Sequence, residues 1–101
     1  MIPLPDIAGS NSAVPLSQSA SPAGAALKAS WIVVIVTGSG TVRFGGNGPN
    51  APTATLGLPI PAGGSFTYMQ RKPPENAPYD LSLEQAYIPV GATISVGFWP
   101  T

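Results

Sequence analysis

The only carboxylates in the chain are Asp6, Glu75, Asp80 and Glu84. Asp80 and Glu84 are spaced so that a helical turn would bring them to one side, where an acid and base pair or a calcium site can be drawn. Calcium takes about six to eight oxygen ligands, and neither a third ligand nor a Gly-containing metal loop lies nearby. The favoured reading is therefore a cap: the Asp80 carboxylate accepts from backbone N–H groups of Leu81-Ser82-Leu83-Glu84, and Glu84 is a solvated charge. There are no histidines and no cysteines. Thiol nucleophiles, histidine triads and Cys/His zinc sites are thus excluded, and the serines have no base to activate them. No catalytic residue, metal ligand or cofactor is expected, and the chain does not read as an enzyme.

Two other features have residue types that could bind. Gly45-Gly46-Asn47-Gly48-Pro49-Asn50-Ala51-Pro52 could expose N–H groups to an anion, but a phosphate cradle ends in Lys-Ser/Thr and runs into a helix. Pro49 and Pro52 occupy that place, so a surface turn is expected. Tyr68, Tyr79, Tyr87 and Trp99 offer flat rings with polar handles, suited to sugar stacking or an interface. Tyr68 and Tyr87 are expected in the core. Tyr79, in a proline-rich loop, and Trp99, on the outer side of the last strand, are the candidate ligand contacts.

Such residues need elements to hold them, and composition limits what those can be. A chain of 101 residues supports one domain. Charged residues are 8% of it and the formal net charge is zero, which leaves no clustered Lys and Arg to displace counterions from a nucleic acid. The N-terminal Met1-Ile2-Pro3-Leu4-Pro5-Asp6 has no basic stretch and is broken by prolines, unlike a signal peptide. No apolar run reaches the length of a membrane span. Gly (12) and Pro (13) are abundant, yet the apolar 44% falls in strand-length blocks between them, the pattern of a turn-rich β-domain. So few charges protect poorly against association, which suggests a surface occupied in an assembly.

Residues 1–27 read as an extended arm. Prolines 3, 5, 15 and 22 forbid a long helix, and Ile2, Leu4, Ile7, Val14, Leu16 and Leu27 are spaced to dock on a neighbour. Ala13 to Ser17 could form a short edge strand. Residues 28–101 read as the sandwich domain. Its clearest strand is Trp31-Ile32-Val33-Val34-Ile35-Val36, β-branched and without alternation, so both faces need cover. One face carries Trp31, Val33 and Ile35, and the other Ile32, Val34 and Val36. Gly38-Ser39-Gly40 then suits a hairpin loop into Thr41-Val42-Arg43-Phe44, with Val42 and Phe44 inward. Thr53 to Leu58 reads as a weak strand. Ile60-Pro61-Ala62-Gly63 and Ile88-Pro89-Val90-Gly91 read as type I turns delivering two further strands, Ser65 to Met69 and Ala92 to Trp99. In the first, Phe66 and Tyr68 share a face; in the last, Ile94, Val96 and Phe98 point inward. Between them, Arg71, Lys72, Glu75, Asp80 and Glu84 make residues 70–84 the expected best-solvated region.

The order of these segments, from Val14-Pro15-Leu16-Ser17 through Val42-Arg43-Phe44-Gly45-Gly46, Gly57 to Ser65 and Asp80-Leu81-Ser82 to the final Thr93-Ile94-Ser95-Val96 strand, resembles small β-sandwich structural proteins of tailed bacteriophages. The match spans residues 13–99 and its motifs are turn chemistry. The fold expected is an all-β antiparallel sandwich, jelly-roll-like, with the N-terminal arm. The resemblance implies a capsid decoration (cement) protein on the phage head surface, assembled in the host cytoplasm, with the major capsid protein and further copies of itself, as a homotrimer, for partners. It carries no catalytic residues. The interface is expected at Leu4, Ile7, Val14, Leu16, Ile32, Val34 and Val36. The alternative is a virion-surface module binding a host glycan or receptor through Tyr79 and Trp99, or a tail or fibre accessory part.

Overall fold

A computed structural model describes residues 1–17, 28–68 and 78–100, with the side chains of Phe66 and Tyr68 excepted. Two antiparallel sheets pack face to face as a β-sandwich. The strands are β1 (Ile2–Pro3), β2 (Ile7–Ala8), β3 (Ser12–Pro15), β4 (Lys28–Gly38), β5 (Thr41–Gly45), β6 (Leu58–Pro61), β7 (Ser65–Tyr68), β8 (Tyr79–Asp80), β9 (Gln85–Ile88) and β10 (Ala92–Pro100). The larger, six-stranded sheet has the order β1-β10-β4-β7, with β2 also on β10 and β8 also on β4; the smaller has β3-β9-β5-β6.

The expected central strand is β4, and its register on β10 decides which face goes inside. Val34 lies opposite Val96, Ile32 opposite Phe98 and Val36 opposite Ile94. Because directly opposed residues share a face, the clean alternation of β10 takes Ile32, Val34 and Val36 into the core. All three are fully buried, together with Ile94, Val96 and Phe98 from β10 and Val42, Phe44, Ala86 and Ile88 from the facing sheet. Near its start, β4 breaks step: Pro100 pairs with Ala29 directly after Trp99 pairs with Trp31. This bulge lets Ala29 and Ile32 both point inward.

Residues 1–17 are part of this body. β1 and β2 pair with β10, and β3 pairs with β9. Leu4, Ile7, Val14 and Leu16 are buried in the same core, so the apolar spacing that suggests docking on a neighbour serves the chain's own interior. The rest of the expected arm, residues 18–27, lies outside the described residues.

Gly38-Ser39-Gly40 does not close a hairpin. β4 and β5 belong to different sheets, and the turn is a corner between them. Its polar groups bond to other corners: Ser39 N–H donates to the Gly91 carbonyl, and Ala62 N–H donates to the Gly40 carbonyl. The turn at Gly9-Ser10-Asn11 joins the same end, with Gly9 N–H donating to the Ala92 carbonyl and the Asn11 side-chain carbonyl accepting from Val90 N–H at 2.9 Å. Asn11 has φ 55°, a conformation asparagine tolerates better than most residues.

The two proline turns recur as expected, displaced by one residue and of another type. Gly64 N–H donates to the Pro61 carbonyl and Ala92 N–H to the Pro89 carbonyl. Gly63 (φ 89°) and Gly91 (φ 101°) stand at the third position, where type II turns require positive φ and type I turns do not. Thr53 to Leu58 is not a strand. The Thr53 hydroxyl accepts N–H groups of Thr55 and Leu56, which holds the segment as a turn, and strand pairing starts at Leu58. The glycine loop is an exposed surface turn with a short 3-10 helix, Gly48–Asn50.

Candidate interaction surface

Among the described residues, none of the chemistry-bearing side chains come together as a reactive centre. Asp80 caps the turn after β8: its Oδ1 accepts from Ser82 N–H at 2.9 Å and from the Ser82 hydroxyl, and its Oδ2 lies 3.0 Å from Lys28 Nζ. Burial of the carboxyl raises its pKa, but hydrogen bonds from Ser82 and Lys28 outweigh that and hold it below the ordinary 3.8. Glu84, expected to be solvated, is buried and engaged. Among the described residues no group of three or more acidic, His or Cys side chains could hold a metal ion, and no helix is long and apolar enough to cross a membrane. Arg71, Lys72 and Glu75 lie outside the described residues.

The Asp80 cap gives a prediction for stability. Replacing it, Asp80→Ala, should cost about 1 kcal/mol at neutral pH, with little of that from the ion pair, whose Lys28 end is 43% exposed. A carboxyl whose pKa is lowered by folding stabilises above its unfolded value and loses that contribution as pH falls through the folded one. The gap between wild type and variant should therefore narrow below about pH 4. Urea titrations at neutral and acid pH, read by tryptophan fluorescence, measure it.

The two candidate ligand aromatics are not one site. Tyr79, opposite Ala29 on β8, is partly buried against the core, whereas Trp99 is on the outer face of the six-stranded sheet. Trp99 contacts Trp31 instead, directly across the strand pair, with ring centroids 5.3 Å apart and planes tilted by 46°. Tyr87 is on the outer side of β9, opposite Arg43, rather than in the core. The Tyr68 side chain lies outside what is described.

What the structure does assemble is an apolar outer face on the larger sheet. Trp31 (40% exposed), Ile35 (47%) and Trp99 (39%) stand on it beside half-buried Val33. At its centre is Gly97, opposite Val33 on β4 and Pro3 on β1. The Met1 thioether sits where a side chain on Gly97 would stand, and a hollow of about 180 Å³ opens beside it, lined by Met1, Pro3, Val33, Ile35 and Ser95. The outer side of the smaller sheet is different in kind: it presents Thr41, Arg43, Gln85 and Tyr87, and Arg43 donates to the Gly57 carbonyl at 3.1 Å. The two outer sides therefore differ in their large residues: tryptophan and isoleucine among serines and threonines on one, arginine, glutamine and tyrosine on the other.

The face expected to meet a neighbour, Ile32, Val34 and Val36, is the one that fills the core. The unmatched face is Trp31, Val33 and Ile35. A non-alternating strand shows that both sides want cover, but only the pairing partner, some 60 residues away in sequence, tells which side the molecule covers by itself. The Trp31–Trp99 contact has the same origin and no local signal. No protein-family model, no curated protein and no solved structure matches the chain.

Proposed function

We propose that this chain is a structural subunit that works by docking, and that it is a decoration (cement) protein of a tailed-phage head, seated on the major capsid protein through the outer face of the six-stranded sheet. The observation that carries the docking reading is the exposed Trp31, Ile35 and Trp99 on one sheet face, with half-buried Val33 between them and a hollow lined by Val33 and Ile35 alongside, on a chain with only 8% charged residues. Isolated exposed apolar residues are ordinary on a protein surface; two tryptophans and an isoleucine on one sheet face, beside a hollow a partner side chain can enter, are the usual composition of an interface centre. The phage assignment rests on the segment-order resemblance and on the sandwich it implies.

The test is on particles. The chain should be present in purified virions of the phage that encodes it, and Trp31→Glu should be lost from them while remaining folded in solution. Virions without the chain, or full retention of Trp31→Glu, would overturn the reading.

A further inference from the structure

Every open sheet has edges, and in this molecule prolines interrupt all but one of those described. Leu4 N–H donates to the Val96 carbonyl, so on β1 it is Pro3 whose backbone faces away from the sheet, because bonded and outward residues alternate along an edge strand. Leu16 N–H donates to the Glu84 carbonyl, which turns Pro15 of β3 outward in the same way. Ala62 N–H donates to the Gly40 carbonyl, and Pro61 and Pro59 of β6 therefore also face outward. Proline has no N–H to offer a further strand, and its presence on an edge is a recognised block to pairing. β2 and β8 are each two residues long and run directly into a turn.

The exception is β7. Val36 N–H donates to the Gly64 carbonyl, so Phe66 and Tyr68 bond to β4 and the N–H and C=O groups of Ser65 and Thr67 point outward. Both residues are exposed, neither is charged, and among the described residues no strand lies on that side. We propose that β7 pairs with β7 of a second copy, antiparallel about a two-fold axis at Phe66, joining the two larger sheets into one. Ser65 would then oppose Thr67 of the other copy, and each such pair exchanges both of its N–H···O=C bonds. A second copy is the occupant because the same edge answers itself under a two-fold operation. Pairing of β7 with β1, β3 or β6 of a neighbour would meet Pro3, Pro15, Pro59 or Pro61, and β2 and β8 are only two residues long. A closed three-fold ring of edge-paired copies lacks a second open edge, so edge pairing gives a dimer and not the trimer that the resemblance implies. The edge borders the apolar face, with Ser65 directly opposite Ile35, but pairing runs in the plane of the sheet, so dimerisation leaves that face free for the capsid.

Sedimentation of the full chain over a concentration series tests this. The wild type should pass from monomer to dimer, and Thr67→Pro, which removes one outward N–H without touching the bonds to β4, should weaken the dimer at least about tenfold. Ile35→Asp, on the face, should leave the dimer unchanged. The chain has no native cysteine, so an equimolar mixture of Ser65→Cys and Thr67→Cys chains, oxidised after subunit exchange, should crosslink in the mixed pair; residues bonded across antiparallel strands are about 5.5 Å apart at Cα, within disulfide reach. A wild type that stays monomeric, a three-fold assembly, or an unweakened Thr67→Pro dimer would overturn the proposal. If Thr67→Pro fails to fold, the mixed crosslink decides alone, and its absence overturns it.

Discussion

Val34→Asp should abolish folding of the domain, and Ile35→Asp, one residue away, should leave it folded but unable to dock. Val34 is fully buried between Val96 and β7 in the middle of the larger sheet. A carboxylate there has no partner and no water, and the penalty of several kcal/mol is comparable to the roughly 5–15 kcal/mol that holds a small domain together. Ile35 is 47% exposed and opposite Ser95 and Ser65 on its two sides. Aspartate at that position stays in water and loses strand propensity and a little packing, about 1 kcal/mol. Circular dichroism and tryptophan fluorescence should show a native spectrum for Ile35→Asp and an unfolded one for Val34→Asp. Particle binding should be absent in both, for different reasons. If Ile35→Asp also unfolds, the outer face is a structural surface and docking through it loses its support.

That contrast also marks where the sequence is informative. Strands with strict alternation declare their own faces: Val42 and Phe44, and Ile94, Val96 and Phe98, are inside as their pattern requires. β4 has no alternation to read, and its orientation is borrowed from β10 through a register that local spacing does not contain. The N-terminal prolines are legible as extended backbone, but whether an extended segment lies on a neighbour or on its own sheet depends on hydrogen bonds such as Leu4 to Val96. Glycine turns are ambiguous for a similar reason. Gly38-Ser39-Gly40 has a hairpin's length and composition, yet its groups are satisfied by Gly91 and Ala62 in other corners, and a turn between sheets uses the same residues as a turn within one. The Asp80 cap, by contrast, needs only Ser82, two positions away, and is legible; its ion pair with the distant Lys28 and the burial of Glu84 depend on the tertiary fold and are not.

The corner end yields the second large effect, because at Gly38 it packs backbone directly against backbone. Gly38 has φ 89°, and a Cβ on it would run into the carbonyl oxygen of Gly91, the same oxygen that accepts from Ser39 N–H at 3.0 Å. Gly38→Ala should therefore incur two costs at once. Positive φ costs an alanine about 1–2 kcal/mol, and the clash forces the β4–β5 corner away from the β9–β10 corner, breaking a hydrogen bond whose groups are then left to find water. The expected loss is about 3 kcal/mol or more, or a fall in Tm of about 15 °C for a domain of this size. Gly63→Ala separates the two costs. Gly63 has the same φ of 89° but nothing within 4 Å of a Cβ, so it should lose only the conformational part, about 1–2 kcal/mol. Equal destabilisation of the two variants in urea titrations would mean that the corners yield readily, and that this end of the sandwich is held by turn conformation rather than by close packing of one corner on the next.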